Sequence, residues 1–251
     1  MSGNVVKLAE NVVECRNCGL RGMCTPASVN KATQSLLDNV IRKRRPVARG
    51  EVLMRYGMAQ NSIYCVRSGS IKSFAATDDG HEMVTGFHLP GELIGLAGIN
   101  DRSSNCTAVA LETSSVCEIP LDRMDELRRR VPELQDELLR MMSLNILHYQ
   151  NLMVLLGRKS AEERLAAFLF SLSNRFKQRG FSASEFYLSM SRTDIANFLG
   201  LAVETVSRVF TRFDEDGLLT VQRKYIHIHD MTKLRMLAGN PTPRQQLMAQ
   251  S

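Results

Sequence analysis

Three cysteines stand within ten residues near the start of the chain: Cys15, Cys18 and Cys24, in ECRNCGLRGMCTP. Thiolates are soft metal ligands, and a trio this close can wrap one zinc ion or one iron–sulfur cluster if a fourth ligand joins it. No histidine lies nearby, and the next cysteine, Cys65, comes more than forty residues later. The residues alone leave open a metal site such as a structural zinc with four thiolates, a redox dithiol at Cys15 and Cys18 that lacks the βαβ setting such enzymes use, or unliganded thiols. Cys65, in IYCVRSG, has apolar neighbours and faces a core. Cys106 reads either as a small buried residue or as an exposed thiol.

A second chemistry-bearing stretch is SRTDIANFLGLAVETVSRVFTRFDEDGLLTVQRKYIHIHD, from Ser191 to Asp230. Ser191 with Asp194 three residues later caps a helix whose inner face is Ile195, Ala196 and Leu199. Gly200 permits a sharp turn. A second helix runs from about Val203 to Phe213, with Val206, Val209, Phe210 and Phe213 inward. This is a helix-turn-helix, followed by a hairpin wing with Arg223 and Lys224 at its tip. Glu204, Thr205, Ser207, Arg208, Thr211 and Arg212 face outward. Arg matches the guanine acceptor pair and Glu the cytosine amino group; a Glu204–Arg208 ion pair within the helix is the plain alternative. His227 and His229 share a strand face without a third ligand and read as wing residues. There is no P-loop, nucleotide fingerprint or Ser/His/Asp arrangement, so the chain does not read as an enzyme.

Other elements must position these residues. Residues 31–45 read as a short helix ending in a basic turn. From Pro46 to Pro120, short β-rich runs alternate with glycines at about ten-residue spacing, the pattern of an antiparallel sandwich or barrel, with a hairpin turn at TDDGHE. Pro132 suits the first turn of a long helix reaching about Leu156. Along it Leu139, Met142, Ile146, Tyr149, Met153 and Leu156 step by 3, 4, 3, 4, 3, a coiled-coil seam that predicts a homodimer. Leu134, Leu138, Met141 and Leu152 form a neighbouring line, interrupted by Asn145 and His148. Ser160 and Glu163 then make a capping box for a helix that Gly180 ends, and FSASEFYLSM contains a short strand.

Composition agrees with this division. The chain has 251 residues and a net charge of +6. From Gly157 to Ser251 there are 14 Lys and Arg against 9 Asp and Glu, a balance of +5; the residues before hold 18 against 17, or +1. A basic C-terminal part suits a polyanion such as double-stranded DNA. No apolar run approaches the length of a membrane span and no export signal is visible, so a cytoplasmic, thiol-reducing setting is expected.

The strings RSGSIKS, TGFHLPGELIGL, ALETSSVCEIP, AEERLAAFL and LGLAVETVSRVFTRF resemble the FNR/ANR oxygen-responsive branch of the CRP/FNR superfamily of bacterial transcription regulators, over nearly the whole chain. The resemblance implies an α+β protein: an N-terminal antiparallel jelly-roll (cupin-like) barrel, a long dimerisation helix and a C-terminal winged helix-turn-helix. The expected divisions are a cysteine-rich leader at 1–30, the barrel at 31–122, the dimer-helix region at 123–157, the DNA-binding domain at 158–240 and a flexible tail at 241–251. It also implies a [4Fe-4S] cluster on Cys15, Cys18, Cys24 and Cys117, inverted TTGAT-like half-sites read by Glu204, Ser207 and Arg208, and RNA polymerase as a partner by analogy. In the cyclic-AMP branch an Arg-Ser pair grips the cyclic phosphate and a Glu takes the ribose. Those positions carry Cys106, Thr107 and Leu96 here, and Arg102 is out of register, so cyclic-nucleotide binding is not expected. Val203 stands where cyclic-AMP regulators carry an Arg, which argues against their half-site. Tyr149 departs from the Asp that such dimer helices often carry, which removes a like-charge contact across the seam.

Overall fold

The computed structural model describes residues 18, 20, 40–43, 46–76, 82–130 and 132–239. Two four-stranded antiparallel sheets form its first half. One orders β1 (Arg42–Lys43), β8 (Ser115–Pro120), β3 (Ser62–Ser68) and β6 (Leu93–Ile94); the other orders β2 (Val52–Met54), β7 (Thr107–Ala110), β4 (Ile71–Ala76) and β5 (Glu82–His88). Side chains alternate across each strand, so Tyr64, Val66 and Val116 point between the sheets, where they meet Leu53, Met54, Ile71, Ile94, Ala108 and Ala110. Gly69 turns β3 into β4 at φ +76°; a Cβ there would strike Ser114 and come within 2.8 Å of the Thr113 carbonyl oxygen. The expected jelly-roll is therefore present.

The sequence reading erred at its edge. Arg42 and Lys43 form a strand paired with β8, not the last turn of a helix. Ladder bonds to an existing strand outweigh local helix preference in so short a stretch. The rest of that predicted helix, and the TDDGHE turn between β4 and β5, fall largely outside the described residues.

Strand β8 runs directly into α1 (Leu121–Arg130), then α2 (Pro132–Arg158). At 27 residues α2 is about 40 Å long. Ser160 opens α3 (Ala161–Gln178) with the predicted capping box: its Oγ accepts from the Glu163 N–H, and the Glu163 carboxylate accepts from the Ser160 N–H. Then come β9 (Glu185–Tyr187), α4 (Arg192–Leu199), α5 (Val203–Glu215), β10 (Leu219–Gln222), β11 (Tyr225–Ile228) and α6 (Met231–Leu237). The last sheet orders β10, β11, β9.

The two halves share one apolar core. Phe74, Val84, Phe87 and Leu89 of the barrel pack with Leu165, Phe168, Leu169 and Phe198 of α3 and α4. The Phe87 ring lies 5.8 Å from Phe168 and 5.3 Å from Phe198, centroid to centroid. Polar contacts frame this core. Lys72 pairs with Asp194 at 2.7 Å, and Asn197 Oδ1 accepts from the Val84 N–H at 2.5 Å. Glu92 receives Arg175 at 2.5 Å and Arg179 at 2.6 Å, while Arg179 also donates to the Pro90 carbonyl.

Titration of this junction has a defined sign. Burial alone would raise the Glu92 carboxyl, but Arg175 and Arg179 outweigh it and hold the pKa at about 2. Burial pushes the His88 imidazole down to about 4; Glu92 opposes this, while Arg175 and His148 add to it. His148 is itself lowered by burial, with Arg175 adding to the effect and Glu92 opposing it. A neutral His88 stabilises the fold fully above its ordinary value of 6.5, and that contribution is lost as pH falls towards 4. The Glu92 contribution is lost between 4.5 and about 2. Thermal denaturation followed against pH is expected to show stability falling by a few kcal/mol below pH 6.5. His88→Gln should flatten the upper part of that decline and leave the lower part.

Candidate functional site

Cys15 and Cys24 lie outside the described residues; Cys18 is half-buried. Cys117 is half-buried on β8, opposite in pleat to the inward Val116, so it sits on the outer face of the barrel sheet. Lys43 of β1 is its partner on one side and Cys65 of β3 on the other. The chain downstream of the cysteine trio is thus stitched by backbone bonds beside Cys117. Eighteen residues lie between Cys24 and Lys43. Four thiolates are the usual ligand set of a cubane cluster, and Cys117 is the one of the four expected ligands that stands on a strand. Among the described residues alone, no three His, Cys, Asp or Glu side chains gather as metal ligands.

Cys65 is buried, as expected, but on the outer sheet face, away from the residues between the sheets. Its pairing with Cys117 depends on a register between strands about fifty residues apart, and local sequence carried no signal of it. Cys106 is half-buried, and burial pushes its thiol up. At the position where a cyclic-nucleotide binder needs a guanidinium, this chain therefore holds a neutral group.

Helix α2 carries both predicted stripes on different faces. Leu152 and Leu155 pack into the shared core, and Leu134 is half-buried in an apolar cluster with Val40 and Ile41. Leu139, Ile146, Tyr149, Met153 and Val154 are exposed, Met153 by 73%. Met142 and Leu156 are half-buried. The exposed members form an apolar ridge along one face of α2. Burial pushes the Tyr149 hydroxyl up, and Cys106 nearby adds to the effect.

The helix-turn-helix is built as expected. Ser191 Oγ accepts from the Asp194 N–H at 3.0 Å, and Gly200 takes the left-handed conformation at φ +61°. Val206, Val209, Phe210 and Phe213 are buried, and Glu204, Ser207, Arg208 and Thr211 are exposed. No Glu204–Arg208 ion pair forms among the described residues; Arg208 instead donates to Thr205 Oγ1 at 3.4 Å. Ser207 and Thr211 donate back to carbonyls one turn earlier, at 2.9 and 3.2 Å, which leaves their oxygen lone pairs outward. Arg212 is exposed but ion-paired with Glu162 of α3, so it reaches a ligand only by leaving that partner. At the wing tip Arg223 adopts φ +57°, and Lys224 donates to the Ser189 carbonyl at 3.0 Å. His227 and His229 stack at 4.4 Å; His229 bonds Thr220 and His227 faces Glu185, consistent with wing roles.

Two arginines went unremarked in the sequence reading. Arg164 donates to the Leu156 carbonyl at 2.6 Å, the Lys159 carbonyl at 2.9 Å and the Leu199 carbonyl at 2.9 Å. It therefore satisfies the open C-terminal ends of α2 and α4 at once, joining the exposed seam to the turn before α5. Arg192 lies 3.4 Å over the Phe210 ring, and its guanidinium is lowered to about 10 by burial. Nothing in their sequence spacing marks either bridge, because each spans separate elements.

Comparison with known proteins agrees with this geometry. Residues 163–237 match the Crp-like helix-turn-helix domain, and residues 44–131 match the cyclic nucleotide-binding domain. The transcriptional activator protein Anr of Pseudomonas protegens is 49% identical over 239 residues, covering 95% of this chain and 98% of the relative. The fumarate and nitrate reduction regulatory protein of Yersinia pestis is 46% identical over 232 residues, covering 92% and 93%. Among solved structures, FixK2 from Bradyrhizobium japonicum has a TM-score of 0.74 at 27% identity, covering 81% of this chain and all of that one.

Two outcomes follow from the site. Arg208→Ala is expected to cost about 1–3 kcal/mol on the specific DNA site and to relax base selectivity there, read by fluorescence anisotropy on matched and mutated duplexes. An equal loss on random DNA would make it a phosphate contact instead. Tyr149→Asp should weaken the dimer of metal-free protein by about tenfold or more, for a like-charge cost above ~1.4 kcal/mol. Sedimentation at micromolar concentration checks this, with metal-free wild type expected to hold more dimer than the variant.

Proposed function

The chain belongs to the FNR/ANR branch of the CRP/FNR family of DNA-binding transcription regulators, and on that premise we propose that it senses oxygen through a [4Fe-4S] cluster. Cys15, Cys18, Cys24 and Cys117 hold that cluster. The observation that carries the reading is the pairing of Lys43 with Cys117, which holds the chain that follows the leader beside the strand thiol. When bound, the cluster supplies an oxygen-labile centre that four thiolates retain under low oxygen.

The chain's own residues do the rest. Leader thiolates drawn towards Cys117 order the segment ahead of β1. Strand β8 passes into α1 without a linker, and Leu121 at the junction is buried, so restraint at Cys117 is carried towards α2. Two copies then close Leu139, Met142, Ile146, Tyr149, Met153 and Leu156 against each other. Arg164 ties the end of α2 to the end of α4, so seam closure also sets the tilt of α5. Paired α5 helices, about one DNA turn apart, enter successive major grooves. Glu204, Ser207 and Arg208 read bases of inverted TTGAT-like half-sites; Thr205, Arg223 and Lys224 meet the backbone, and Arg212 does so after releasing Glu162. The protein works in the cytoplasm, contacts RNA polymerase, and takes no cyclic nucleotide, because Cys106 and Thr107 give a phosphate no cation.

Anaerobic purification tests this directly. Iron and sulfide are expected in the amount of one cubane cluster per chain, with visible absorbance that air bleaches. Cys117→Ser should lose both the iron and the dimer-dependent gain in DNA affinity. Zinc without sulfide, unchanged by air, would overturn the sensing role and leave DNA binding intact.

A further inference from the structure

We propose that Cys65 and Cys117 form a reversible cross-strand disulfide when Cys117 is not holding a cluster. The two are direct partners in the β3–β8 ladder, so both side chains leave the same sheet face. The ladder also defines their spacing. Leu121 N–H donates to the Asn61 carbonyl at 2.9 Å, which makes that pair a hydrogen-bonded one. Pair types alternate, and the register is unbroken from Ser62 to Val66, so Cys65 and Cys117, four positions on, are again hydrogen-bonded. Such pairs hold their Cα atoms about 5.5 Å apart, inside the roughly 4.4–6.8 Å range that disulfides span. Their Cβ atoms must close from about 5.5 Å towards the roughly 3.5–4.5 Å of a relaxed disulfide, which makes the bond readily reducible.

The two sulfurs differ in a useful way. Cys117 is half-buried and open to a small thiol reagent, whereas Cys65 is 4% exposed. Cys117 is therefore the thiol that meets the reagent first, and Cys65, its ladder partner, is placed to resolve the mixed disulfide.

The step is thiol–disulfide exchange with oxidised glutathione or a similar small disulfide. The Cys117 thiolate attacks one glutathione sulfur, forms a mixed disulfide and expels one glutathione thiolate. The Cys65 thiolate then attacks the Cys117 sulfur and expels the second. Two protein thiols are oxidised, one small disulfide is reduced, and the two protons end on the departing glutathiones. The bond would withhold Cys117 from cluster assembly until a reductant reopens it; that consequence rests on the cluster reading above, while the bond itself does not.

The test uses full-length protein carrying Cys106→Ser, so that the Cys117 peptide has a single cysteine. Cluster-free protein is treated with oxidised glutathione, digested and examined by mass spectrometry, beside anaerobic cluster-loaded protein and a Cys65→Ala variant. The expected result is a peptide joining Cys65 to Cys117 in the cluster-free sample, lost in Cys65→Ala and in loaded protein. Oxidised wild type should rebuild its cluster more slowly after a limited dose of reductant than oxidised Cys65→Ala. Absence of the joined peptide while the leader cysteines are fully oxidised overturns the proposal, as does equal rebuilding by the two proteins. A joined peptide in a protein that never loads iron when reduced supports the disulfide and sinks the oxygen-sensing role instead.

Discussion

The ladder between β3 and β8 is the constraint on which the rest depends. Because side chains alternate strictly along a strand, an inward Val116 obliges Cys117 to face out. A slip of one residue would put a thiol among the apolar side chains between the sheets and a valine on the outer face. The same strand accepts β1 on its other edge and becomes α1 at its end. One element therefore touches the strand at Arg42–Lys43, the second thiol at Cys65 and the start of the helices α1 and α2. Burial of Tyr64, Val66 and Val116 between the sheets holds that register, at about 25 cal/mol for each Å² removed from water.

Helix α2 has to satisfy two surfaces at once. One face, with Leu152 and Leu155, is used within the chain; the other, from Leu139 to Met153, is left apolar and exposed. Leaving large side chains in water costs on the order of 1.5–3 kcal/mol each, so the ridge favours a second copy whenever the helix is held in the right pose. Small changes at the start of α2 can then shift a dimerisation equilibrium without remaking the fold.

Polar bridges over apolar packing join the barrel to the DNA-binding helices. Phe87, Phe168 and Phe198 bind the barrel to the helix-turn-helix, and Glu92 with Arg175 and Arg179 fixes the angle between them. Charged groups withdrawn from water in this way are costly to break singly, because the remaining partner keeps its desolvation cost. Arg164 adds a link from the seam to the turn before α5.

Much of this was legible in local pattern. Ser160 with Glu163, Ser191 with Asp194, Gly200, the 3-4 steps of α2 and the inward set of α5 each follow from spacings of a few residues, which helical periodicity and capping chemistry determine by themselves. The thiol count and the basic balance of the C-terminal part were equally plain. Only the tertiary structure decided that Arg42 and Lys43 are strand, that Cys65 lies opposite Cys117, that Arg212 is engaged by Glu162 and that Arg164 closes two helices. Each of these joins residues brought together by sheet register or helix packing across separate elements. Such contacts depend on the whole folded core, so no short window of sequence contains them.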